Sequence, residues 1–242
     1  MSLIATEMSE ISNLALEIVK RVIDENEKTN KIEDPQLGPI PLAEAFSDFF
    51  DLAFGIEEQD KELDEEEISE LAHYAMDLVD RLESQLWYLD IHNLRDNLSR
   101  LFVSLAIWFV RRNAVMVNLQ GAANSCAIIT NGENDPKQLA LMSGYMNELL
   151  ESASREITID EDRSDPWRPW RVLNLNSGVA ATRALDAALM RTTFENMEQR
   201  LPYDLPGFFA DGKRQMDSQE VPQEVRDVMT EFSEKWPAAA PH

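Results

Sequence analysis

Apolar residues along this chain recur three and four positions apart rather than alternately, which is the spacing of one face of a helix. Runs of Val, Ile and Thr alternating with polar residues are nearly absent, and only eight glycines occur. The first amphipathic segment covers about 7–29, with Ile11, Leu14, Ala15, Ile18 and Val22 on one side. "KIEDPQLGPIP" (31–41) ends it with prolines and a glycine, and a short Phe-rich helix follows at about 42–53. Asp64 followed by Glu65, Glu66 and Glu67 predicts a helix start, because carboxylates favour the positive N-terminal end. The helix it opens, about 65–87, carries Ile68, Leu71, Ala75, Leu78 and Leu82 in a single stripe facing a core.

The segment at about 91–112 is different in kind, since apolar residues surround its axis on a helical wheel. Leu98, Leu101, Val103, Leu105, Ile107, Trp108, Phe109 and Val110 require burial on nearly every side. Helices at about 114–131 and 136–156 follow, parted by "NGENDP". Asn176 or Ser177 can cap a helix at about 178–201 with two apolar sides, which suits a position between layers. After "LPYDLPGFF" comes a closing helix with Val221, Val225, Val228, Met229, Phe232 and Trp236 on one face. The expected fold is therefore all-α: about eight or nine helices in antiparallel hairpins, as a multi-layer helical bundle or a short α-solenoid. No fixed repeat period supports the solenoid beyond helix pairing itself. Residues 1–63 read as an acidic helical arm and linker and 64–242 as a helical core, within one domain if the arm packs down.

Charge narrows the partners. The 242-residue chain carries a net charge of −23. That opposes general nucleic-acid binding, which needs Lys and Arg against phosphate, and docking on an anionic membrane. A protein partner or self-association is expected instead, with no nucleic acid and no membrane. Residues 1–72 hold 20 acids and 5 bases, so most of the excess lies in the N-terminal third. The run "EEQDKELDEEE" (57–67) offers a bait for a basic partner or a solvated helix start. The N-terminus lacks the pattern of a secretory signal, and the longest apolar run, "LFVSLAIWFV", is too short to span a bilayer, so a cytoplasmic protein is expected.

Candidate chemistry is sparse. Cys126 is alone, which excludes an internal disulfide and a cysteine-based metal site. Glu70-x-x-His73, with Glu66 before it and Asp77 after it, has the spacing of a di-metal bundle ligand pair. These four side chains lie roughly 160° from the apolar stripe of their helix, however, and so face solvent. Asp160, Asp162 and Ser164 begin like a calcium loop, but Asp165 and Arg171 stand where glycine and a bidentate Glu belong. No serine elbow and no Gly-rich phosphate loop is present, so no metal, no cofactor and no catalytic residue is expected.

One stretch remains. "DPWRPWRV" (165–172) holds the tripeptide Pro-Trp-Arg twice. Proline pushes the preceding residue extended, and an extended polyproline II run would align like residues every third position. Trp167, Arg168, Trp170 and Arg171 are therefore the candidate binding residues. Packing of the indoles onto the helical core, with the arginines offsetting nearby acids, is the competing reading. The function expected is a protein acting through protein–protein contacts, as scaffold, adaptor or regulator. The alternative is a small-molecule-binding protein or enzyme with an inter-helix pocket, where Arg168 and Arg171 would hold an anion beside aromatic faces.

Overall fold

A computed structural model of the chain describes residues 3–58, 63–161, 163–218 and 220–237. It is all-helical among these residues, with eleven α-helices in packed layers. The count exceeds eight or nine for local reasons given below. Val117 closes one compact unit and Asn118 opens a second.

The first unit contains α1 (Met8–Thr29), α2 (Pro39–Glu58), α3 (Glu65–Tyr88), a 3₁₀ turn (His92–Leu94) and α4 (Arg95–Val110). Helix α4 is central: every residue from Leu101 to Phe109 is buried, as its all-round apolar pattern requires. It packs against both α1 and α3, and the Phe109 ring lies 6.1 Å from Phe49 of α2. The N-terminal residues are tied to the same helix. The Ala5 N–H donates to the Ser104 hydroxyl at 3.0 Å, and Arg100 donates to the Leu3 carbonyl at 3.0 Å. At the other end of α4, Glu57 accepts from the Trp108 indole at 2.8 Å and from Arg112 at 3.1 Å.

Helix α3 begins as its sequence predicts. The Asp64 carboxylate accepts from the Glu67 N–H while Glu67 reaches back to the Asp64 N–H, a reciprocal capping box. Of the acidic run 57–67, residues 59–62 lie outside the described residues; Glu57, Glu58 and Asp64 to Glu67 are exposed. Glu66, Glu70, His73 and Asp77 are exposed too, on the face opposite Ile68, Ala75, Leu78 and Leu82. Among the described residues no three His, Cys, Asp or Glu side chains gather closely enough to hold a metal ion.

The second unit contains α5 (Gln120–Gly132), α6 (Pro136–Glu151), the single turn α7 (Arg155–Thr158), α8 (Pro169–Arg183), α9 (Ala187–Arg200), α10 (Leu205–Asp217) and α11 (Gln223–Lys235). Helix α8 is its centre, packed on α5, α6 and α9. Three features separate this arrangement from the expected one. The helix expected at 178–201 is two helices, because Leu185 takes a left-handed conformation (φ 56°) and Asp186 caps α9 through the Ala188 and Leu189 N–H groups. Helix α8 begins nine residues earlier than expected, and the Pro- and Gly-bearing stretch after Asp204 is itself helical. Proline at the first or second helical position lacks only an N–H that has no intrahelical partner there, so Pro169 and Pro206 start helices rather than breaking them.

Gly178 of α8 is required by close approach. A Cβ there would lie 2.7 Å from both the Met197 sulfur and the Phe208 ring, so these side chains sit directly on the α8 backbone. Around Phe194 the Phe209 and Phe232 rings stand at 5.0 and 5.2 Å, and Met190, Met197 and Met229 complete the core of α9, α10 and α11. Between α6, α8 and α9 runs a polar seam. The Ser143 hydroxyl lies 3.1 Å from the Ser177 carbonyl, Asn147 donates to the Ser177 hydroxyl at 3.0 Å, and Arg200 donates to Asn147 at 2.9 Å. Burial pushes the Arg200 guanidinium below its ordinary value, only partly offset by Glu151.

Candidate functional site

The two copies of Pro-Trp-Arg do not form one extended run. Arg168 is extended, with ψ at 132°, as a residue before proline should be. Pro169 then opens α8, so Trp170 and Arg171 occupy its first turn. In the first copy, the Asp165 carboxylate accepts the Trp167 N–H at 2.8 Å and holds a turn. The period of three therefore aligns nothing, and the polyproline II ligand geometry is not formed.

The two tryptophans have opposite fates. Trp170 is 4% exposed and belongs to the core, with its carbonyl accepting from Asn174 one turn on. Trp167 is 77% exposed, the most exposed large hydrophobic side chain among the described residues. Packing and exposure, weighed as alternatives for the repeat, divide between its copies.

Both arginines are paired. Arg168 meets Asp160 through two nitrogens at 2.6 and 3.0 Å and Asp204 at 3.0 Å. Arg171 meets Asp204 at 2.5 Å and the Pro166 carbonyl at 2.9 Å. The Asp160–Arg168–Asp204–Arg171 chain alternates in sign. Arg168 is 11% and Asp204 17% exposed at the side chain, so the pairs are shielded more than surface ion pairs are. The Asp160 hydrogen bond, ahead of the opposing effect of burial, raises the Arg168 guanidinium further above its ordinary value. The guanidiniums expected to hold an anion thus hold Asp160 and Asp204 instead. Asp160 is likewise committed to Arg168 rather than left for a calcium ion, and Asp162 of that candidate loop lies outside the described residues.

This ion-paired chain joins two loops that carry exposed aromatics. Trp167 precedes Arg168, and Tyr203, which is 73% exposed, precedes Asp204. The Arg163 guanidinium sits 4.1 Å over the Tyr203 ring. Tyr203 was not singled out in the sequence; only its place beside the acid that neutralises both arginines marks it.

Arg171 and Asp204 also line a cleft of about 620 Å³ in the second unit. Its walls are α8, through Leu175, Val179 and Arg183, and α10, through Gly207, Asp211 and Gln215, over a floor of Phe208, Met216 and Met229. Of the four candidate residues only Arg171 lines it. Arg183 gives its amino groups to the carbonyls of Thr130 and Glu133 at the end of α5, where a cation offsets the helix dipole. In the same unit Cys126 is fully buried, and burial pushes its thiol up to about 12, the opposite of an activated nucleophile.

Comparison of the chain with protein-family models, curated proteins and solved structures found no significant match. Among the described residues no helix is long and apolar enough to cross a membrane.

Proposed function

We propose that this all-α protein acts by recognising another protein, with the loop pair carrying Trp167 and Tyr203 as its contact surface. The observation that carries this reading is the exposure of Trp167 on a loop fixed by paired Arg168, while Trp170 serves the core. Large apolar side chains left in water on an ordered backbone serve no packing purpose. Trp, Tyr and Arg are also the residue types that dominate binding energy at interfaces. Ion pairing at Arg168 and Asp204 fixes both loops before any partner arrives, which lowers the ordering cost of association.

The test compares partner capture by the 242-residue chain and by its Trp167→Ala/Tyr203→Ala variant, with melting curves of both. Loss of specific capture at an unchanged melting temperature supports the surface. Identical partners recovered by both proteins would remove it.

A further inference from the structure

We infer that the cleft between α8 and α10 is a groove for a basic amphipathic helix of a protein partner. The inference adds a second contact beside the Trp167–Tyr203 surface and rests on the reading that the second unit recognises a protein.

The form of the cleft points to a helix rather than a small molecule. Arg171, Leu175, Val179 and Arg183 follow one another at intervals of four along α8, so the groove runs with that helix. Twelve residues at 1.5 Å each give a length of about 18 Å, or roughly three helical turns. Small-molecule sites gather a few free polar groups at one point. Here the two arginines stand at opposite ends, each occupied: Arg171 by Asp204, and Arg183 by the carbonyls of Thr130 and Glu133 and the Asn134 side chain. Between them Leu175 and Val179 of α8 and the floor of Phe208, Met216 and Met229 are apolar, facing Gly207, Asp211 and Gln215 of α10, and Val179 and Leu185 are exposed. Insertion of apolar side chains spaced three and four apart matches such a groove.

Charge selects the sign of the partner. On the α10 side Asp211 and Glu220 line the rim and are exposed, and Asp211 pairs with Arg214 at the surface. The cationic groups of the lining are already matched, whereas these carboxylates face solvent, in a chain of net charge −23. Lysines or arginines flanking the apolar stripe of the incoming helix would meet them.

Gly207 supplies a clean block. It is exposed on α10, it lines the groove, and a Cβ added there meets nothing within 4 Å. The probe is a labelled peptide of about 18 residues made of Leu and Lys, with Leu spaced for one helical face; a Leu/Glu peptide of the same pattern is the control. Titrated into the 242-residue protein at about 150 mM salt, the Leu/Lys peptide should bind and the Leu/Glu peptide should not. Gly207→Trp should weaken binding by about tenfold or more, and so should Val179→Lys, a second block placed away from the glycine. Asp211→Asn with Glu220→Gln should weaken it and flatten its salt dependence. Equal affinity in wild type and both blocked variants would overturn the groove, leaving only diffuse attraction between opposite charges. Failure of the wild type to bind would overturn it as well. So would saturation of the groove by laurate without peptide binding, or a dimer of the free chain that Gly207→Trp dissociates. None of these outcomes bears on capture through Trp167 and Tyr203, so the two readings fail separately.

Discussion

At the scale of single residues, the tripeptide repeat separates into a core position and a surface position. Trp170→Ala removes a buried indole and should cost about 3–5 kcal/mol, while Trp167→Ala should change stability by no more than about 0.5 kcal/mol. Chemical denaturation of the two single variants checks this, and equal losses would contradict the division. Sequence identified these four residues but could not divide them, because residues in identical tripeptides differ only in what the rest of the chain places over them. Asp80 gives a second test. Partial burial, with Glu83 and Asp77 adding repulsion, raises its carboxyl above the ordinary value. The folded protein then binds this proton more tightly than the unfolded chain does. Asp80 therefore favours folding at pH below the ordinary carboxylate value, and that contribution is lost as pH rises through the raised one. Asp80→Asn should raise the melting temperature at pH 7 and leave it nearly unchanged at pH 3. A lower melting temperature at pH 7 would contradict the sign.

At the scale of elements, legibility followed the physical signal. Helix α3 was readable because one stripe and one cap agree at Asp64, and α4 because only burial on all sides tolerates its composition. The ends of α8 were not. Pro169 breaks a helix from within but starts one from its first position, and local sequence does not say which applies. Leu185 hides the break before α9, since a left-handed leucine is rare and nothing in its local sequence announces one. The cleft is illegible for the same reason: its walls come from α8 and α10, and the sequence marks no helix over 205–217. The caps make the boundaries testable. Asp64→Ala and Asp186→Ala each remove a side chain that accepts backbone N–H groups and should each cost about 1 kcal/mol. Losses below a few tenths would show that packing alone sets these helix starts.

At the scale of the whole molecule, each unit has its own central helix, α4 in one and α8 in the other. Net charge differs sharply: −15 up to Val117 and −8 from Asn118 onward. Net charge of this size opposes non-specific association by repulsion, so a specific partner would need local features that override it. In the second unit the feature proposed for this role is an exposed tryptophan and tyrosine on loops joined by a shielded chain of ion pairs. The most direct test is calorimetric titration of a partner captured by the 242-residue chain into wild type and Trp167→Ala, with the unfolding midpoint of each protein. The expected result is an affinity loss of about 2 kcal/mol, or roughly thirtyfold, at an unchanged midpoint. Equal affinity for the two proteins would contradict it.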